Sequence, residues 1–271
     1  INIVVATSGD TGAAAIDAIR GKSNLNIFVL HPNNRISPVQ RKLMTTVEDE
    51  NVFNIAIDGN FDDCQNIVKQ MFSDLDFSNS INMSGVNSIN WARIIAQAVY
   101  YFYTYFKLES DKPISFSVPT GNFGDVFAGY LAKEMGLPID KLIVATNEND
   151  ILHRAISNGD YISKKVKETL SPSMDIQLAS NFERLIYYVN NSNSDITSDI
   201  MKKVKNNEYK IEKSNLQIIQ KDFISECCDE NETLEIIKQY FDKNNIILDP
   251  HTAVGVGAAN KLNFSDCVVL S

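Results

Sequence analysis

Apolar residues along the chain fall into short β-branched runs that alternate with stretches of helical spacing. Residues 1–6, "INIVVA", are apolar apart from Asn2, as expected of a buried strand. "TGAAAIDAIRG" (11–21) then reads as a helix ending at Gly21, "NIFVLH" (26–31) as a second strand, and "SPVQRKLMTT" (37–46) as a helix opened by an N-cap serine and a proline at its first position. "VFNIAI" (52–57) predicts a third strand and "FDDCQNIVKQMFSDL" (61–75) a third helix. A β-α-β-α-β-α order implies parallel strands joined by right-handed crossovers.

A polar stretch, "DFSNSINMSGVNSIN" (76–90), interrupts this rhythm. Ile94, Ile95, Ala98, Val99, Phe102 and Phe106 then recur at helical spacing, which predicts a long helix over 90–107. A strand at 114–118, a helix at 124–136 and a strand at 141–146 follow. From about 150 to 245 the pattern is helical and loop-rich, and the chain closes as strand or loop, helix, then strand through "IILDPHTAVGVGAANKL" and "CVVLS". The expected architecture is α/β in two parallel-sheet units, the first over roughly 1–75 and the second over roughly 76–271, with a helical insertion at about 150–245. No internal repeat is visible.

Composition narrows the function classes. With 271 residues and 44% apolar content, the chain can bury one large core or two modest ones. A net charge of −9 argues against nucleic-acid and anionic-membrane surfaces. No apolar run reaches the roughly 20 residues of a membrane helix, and "INIVVATSGD" has no signal-peptide pattern. Cys64, Cys227, Cys228 and Cys267 form no CxxC pair, so reduced thiols in the cytoplasm are expected. His31, His153 and His251 are widely scattered, and no metal site is expected from them.

Three loops sit where ligands bind in parallel α/β folds, at strand ends that feed helix N-termini. In "ATSGDTGAAA" (6–15), Ser8, Thr11 and the first amides of the helix suit a carboxylate or phosphate, whereas Asp10 suits either the N-cap or a place beside the ligand. In "TGNFGD" (120–125), Gly121 and Gly124 allow close backbone approach. The loop lacks both the GxGxxG pattern and the P-loop lysine, so one phosphate fits better than a dinucleotide, and a tight structural turn is the competing explanation. In "NSINWAR" (87–93), Asn87 and Asn90 adjoin the start of the long helix, and Arg93 lies in its first turn. A cation there opposes the helix dipole, so it faces either a bound anion or a surface acid.

Taken together, "TSGDTGAA", "NSINWARI", "VPTGNFGD", "TLSPSMDIQLASNFERL" (169–185) and "DPHTAVGVGAA" (249–259) occur in the order and near the spacing of threonine synthases, and the resemblance covers essentially the whole chain. It implies pyridoxal phosphate fold type II, a tryptophan-synthase-β-like pair of three-layer units. It also implies that Gly121, Asn122, Phe123, Gly124 and Asp125 cradle the phosphate of pyridoxal 5′-phosphate, with Asp10 flanking the cofactor ring. Ser8, Gly9 and Thr11 would take the substrate carboxylate, and Asn87, Ser88 and Arg93 the substrate's own phosphate. The implied reaction is a carbon–oxygen lyase step, O-phosphohomoserine and water to threonine and phosphate.

The family's Schiff-base lysine lies upstream of "TSGDTG", and no lysine here matches that position; the family also continues beyond "CVVLS". No catalytic residue is therefore assigned. The sequence reads as an internal piece of a longer protein, expected to be inactive alone, with cofactor retention open. The alternatives are a non-catalytic remnant or anion-binding module of the same fold, and a serine or threonine dehydratase-like enzyme. The Asn87–Arg93 constellation disfavours the latter, since those substrates carry no phosphate.

Overall fold

A computed structural model describes every residue except Ser8, Arg35 and 87–89, and leaves aside the side chains of Asp10 and Asp62. The first unit, Ile1–Asn90, contains β1 (Asn2–Ala6), α1 (Asp10–Ile19), β2 (Asn26–Pro32), α2 (Pro38–Thr45), β3 (Val52–Ile57), α3 (Phe61–Ser73), α4 (Leu75–Ser80) and β4 (Met83–Gly85). Its strands run parallel in the order β3-β2-β1-β4. Alternation along β1 sends Val5 to one face, with Ile16, Ile27, Val29 and Met44, and sends Val4 and Ala6 to the other, with Leu30, Cys64 and Val68. Helices α1 and α2 cover the first face and α3 the second, which makes three layers. The predicted cap of α2 is present, with Ser37 Oγ accepting from Gln40 N–H at 3.2 Å. An Asn60–Asp63 capping box starts α3.

The second unit, Trp91–Ser271, contains α5 (Trp91–Leu108), β5 (Ile114–Pro119), α6 (Gly124–Glu134), β6 (Ile139–Thr146), α7 (Ile151–Asn158), α8 (Phe182–Val189), α9 (Ser194–Lys205), α10 (Lys213–Asp222), β7 (Phe223–Cys227), α11 (Glu230–Asn244), α12 (Pro250–Lys261) and β8 (Cys267–Val269). Its sheet is also parallel, ordered β7-β6-β5-β8. Phe116, Val118, Leu142 and Val144 face a core shared with α5, α6, α7 and α8, while Ile143 and Ala145 face α12. Among the described residues, no helix is long and apolar enough to cross a membrane.

Two features depart from the sequence expectation. Residues 76–90 join the first unit rather than the second, because Met83–Gly85 pairs with Asn2–Val4 and adds a fourth strand to that sheet. The region 150–245 also contributes a strand: β7 pairs with Leu142–Thr146 directly after α10.

Candidate anion-binding site

The loop that leaves β5 is anchored on the sheet and then turns its amides outward. Thr120 N–H donates to Ala145 O at 2.8 Å, and Thr120 Oγ1 donates to Val118 O at 2.6 Å. Beyond Thr120, the amides of 121–126 have no acceptor among the described residues. The last three open α6, whose first turn leaves N–H groups unpaired by helix geometry. Phe123 caps this helix in the left-handed region, φ 65°, a conformation that costs a non-glycine residue about 1–2 kcal/mol. Its ring is buried against Phe127, Phe182 and Phe223, and that packing offsets the strain.

The loop is held from behind by the segment 169–181, whose sequence motif had carried no stated role. A Cβ on Gly121 would overlap the Ser173 carbonyl oxygen. Asn181 N–H donates to Asn122 O at 3.1 Å, and Ser180 Oγ donates to Asn122 Oδ1 at 3.3 Å. Asn181 is fully buried, and its Nδ2 has no hydrogen-bond partner among the described residues. That donor lies 3.3 Å from where a Gly124 Cβ would stand, so an unused N–H group borders the loop.

The supporting segment is itself tied to the end of β6. Asn147 Nδ2 donates to Asp175 Oδ1 at 2.8 Å and Thr169 Oγ1 at 2.8 Å, while Asn149 Nδ2 donates to the same Asp175 oxygen at 3.0 Å. Thr169 also bonds the carboxylate twice, its N–H donating to Oδ2 at 2.9 Å and its hydroxyl to Oδ1 at 2.6 Å. From α12, His251 Nε2 accepts from Ser173 N–H at 3.3 Å. Nothing in the periodicity of the chain marks Asn147, Asn149 or Asp175. The one available signal is a pair of asparagines directly after a strand, residues that bond back to nearby backbone.

Among the remaining expected residues, Asp125 is half-buried in the first turn of α6 and turns to Tyr101, whose hydroxyl donates to Asp125 O at 2.9 Å and Oδ1 at 3.2 Å. Burial pushes the Asp125 carboxyl up to about 6, partly countered by the Tyr101 hydrogen bond. Arg93 is half-buried in the first turn of α5, and burial lowers its pKa from the ordinary arginine value. Asn87 and Ser88, named with Arg93, lie outside the described residues, as does Ser8.

In the first unit the loop after β1 is shaped by a residue absent from the sequence expectation. Buried Thr7 accepts through Oγ1 from Gly9 N–H at 3.0 Å and Gly12 N–H at 2.9 Å. Gly9, at φ 145°, backs onto the Gln40 side chain so closely that a Cβ would overlap it. Thr11 stands in the first turn of α1, and its amide has no acceptor among the described residues.

A family model described as "Pyridoxal-phosphate dependent enzyme" matches residues 1–198. Threonine synthase of Saccharomyces cerevisiae is 49% identical over 98% of this chain and 55% of its own length. The threonine synthase of Pseudomonas aeruginosa is 48% identical over 96% of this chain and 56% of its own. A crystal structure described as PLP-bound threonine synthase from Brucella melitensis superposes with a TM-score of 0.91 at 48% identity, covering 99% of this chain and 59% of that one. The chain thus spans about half the length of the curated relatives it matches, and it shares the fold type II architecture of the Brucella protein.

Proposed function

The chain belongs to the family of pyridoxal-phosphate-dependent enzymes, and from that membership we propose that it serves a threonine synthase reaction, O-phosphohomoserine and water to threonine and phosphate. The observation that carries this reading is the loop at 121–124. Its amides and Asn181 Nδ2, which have no partner among the described residues, and the tight packing behind Gly121 match the demands of a phosphate monoester. The residues present fit the cofactor. When bound, pyridoxal phosphate supplies an electron sink for a carbanion next to the substrate nitrogen.

The chain's own residues would bind and orient. The amides of 121–124 and Asn181 Nδ2 would hold the cofactor phosphate. By the resemblance in sequence, Ser8, Gly9 and Thr11 would take the substrate carboxylate, and Asp10 would flank the cofactor ring. By the same resemblance, Arg93, Asn87 and Ser88 would grip the substrate phosphate. A half-buried guanidinium holds that group more strongly than an exposed one, and it favours the charge that builds as the phosphate departs. The free thiols of Cys64, Cys227, Cys228 and Cys267 accord with a reducing, cytoplasmic setting.

The test is binding, read without turnover. 4-Deoxypyridoxine 5′-phosphate carries the ring and phosphate but no aldehyde, so its affinity reports the cradle alone. It should bind the 271-residue chain in competition with inorganic phosphate, and Gly121→Ala should abolish both. Arg93→Gln should weaken O-phosphohomoserine by about ten- to a hundredfold, the loss of one charged hydrogen bond, and leave the deoxypyridoxine phosphate unmoved. An O-phosphohomoserine affinity indifferent to Arg93 would overturn the substrate assignment.

A further inference from the structure

Beyond the anion loops, β7 ends in Ser225, Glu226 and Cys227, at one edge of its sheet and beside His153 of α7. One donor atom each from His153, Glu226 and Cys227 lies within 4.8 Å of the other two, and all three residues are half-buried. The local hydrogen bonds fix which atoms remain open. Ser225 Oγ stands 3.3 Å from the His153 carbonyl oxygen and 3.2 Å from His153 Nδ1. With the hydroxyl proton assigned to the carbonyl, Oγ accepts Nδ1–H, and in that tautomer the ring keeps its Nε2 lone pair. Glu226 Oε1 accepts from Cys227 N–H at 2.9 Å, which leaves Oε2 clear of that bond. The imidazole and the carboxylate are thus each held by a bond on one of their atoms, the outer-shell arrangement that metal ligands use.

We propose that His153 Nε2, Glu226 Oε2 and Cys227 Sγ bind a zinc ion, with the fourth tetrahedral position left to water. A mixed nitrogen, oxygen and sulfur set suits zinc. Calcium and magnesium need six or more oxygens, which this cluster does not offer. One carboxylate and one thiolate also neutralise a dication. Burial first, and then the Glu226 carboxylate, hold the Cys227 thiol above its ordinary pKa; Asp150 and Glu232 add to this, and Lys261 opposes it. Zinc must therefore displace the thiol proton to solvent as it forms the zinc–sulfur bond. Lys261 Nζ donates to Cys227 O at 2.8 Å and is also paired with Glu232, so it is held by those contacts. The spacing of the three histidines gave no hint of this site, because it uses only one of them. Its other two ligands come from a strand that the sequence pattern did not reveal.

Cobalt is the spectroscopic probe. The full 271-residue chain, stripped with a chelator, should take up one equivalent of cobalt and develop a thiolate charge-transfer band in the near ultraviolet that zinc bleaches. Cys227→Ser should lose the band, Cys267→Ser should keep it, and Ser225→Ala should weaken cobalt binding about ten- to a hundredfold. A measurement on the unaltered chain guards against misfolded variants: zinc should protect Cys227, but not Cys267, from iodoacetamide, as read by peptide fragmentation. Absence of the band, its survival in Cys227→Ser, protection of Cys228 in place of Cys227, or equal protection of every thiol would each overturn the proposal.

Discussion

The two units share one topology without sharing a sequence. In each, the first strand lies between the second and the fourth, giving β3-β2-β1-β4 and β7-β6-β5-β8. The loop after that first strand therefore leaves the sheet where the order reverses, the position at which open α/β folds bind ligands. The means of holding the loop differ. In the first unit a local side chain, Thr7, ties the amides of Gly9 and Gly12. In the second unit the amides of 121–126 have no acceptor among the described residues, and the loop is braced by a segment some fifty residues away in sequence, itself hung on Asn147 and Asn149. A loop that spends its amides on its own shape is cheap to build, whereas one that keeps them for a ligand needs an external brace.

The comparison breaks most severely at the brace. Asp175→Ala removes the charged acceptor shared by Asn147, Asn149 and Thr169, hydrogen bonds worth about 1.5–3 kcal/mol each, and leaves the Thr169 N–H without its acceptor. We expect a loss of about 3–5 kcal/mol in urea unfolding, with phosphate binding lost too. Gly121→Ala forces a methyl group onto the Ser173 carbonyl. It should cost about 1–3 kcal/mol and eliminate phosphate binding even where the protein remains folded. Retained phosphate affinity in a folded Gly121→Ala protein would mean that the cradle lies elsewhere.

Most of the scaffold was legible in the sequence, and the losses have physical reasons. Strands such as "INIVVA" and "KLIVAT" are buried on both faces and so announce themselves as apolar runs. β4 is three residues long, Met-Ser-Gly, too short and polar to show a period of two, and only its pairing with β1 defines it. β7 follows α10 without an intervening turn residue, so its five residues read as a continuation of helix. In the site, Gly121 and Gly124 were visible because close approach demands glycine. Thr7, Asn181 and Asp175 were not, since their roles depend on partners distant in sequence or hidden in a backbone turn.

Thr7→Val keeps the shape of the side chain and removes only the acceptor. We expect about 1–2 kcal/mol of destabilisation, with inorganic phosphate affinity unchanged, because that anion is assigned to the other loop. Loss of phosphate affinity in this variant would erase the division of labour between the loops.

The smallest effect comes from the acid beside the open amides. Asp125 carries a carboxyl pushed up to about 6 by burial, above its ordinary value of about 4. Below pH ~4 it is protonated in both folded and unfolded chains and contributes no penalty; as pH rises through about 6 the folded protein must carry the charge, and stability falls. Asn in its place keeps an acceptor for the Tyr101 hydroxyl and never ionises. Asp125→Asn should therefore raise stability by on the order of 1 kcal/mol at pH 7.5, after screening of a half-exposed group, with the gain fading to nothing near pH ~4. It should also tighten phosphate binding at neutral pH, since a carboxylate in the first turn of α6 competes with the anion for the same positive helix end. Thermal melts of both proteins across that pH range test the sign directly. A gain that grows toward acid would mean that the Asp125 charge is favoured in the fold and that its carboxylate belongs to the loop's own structure.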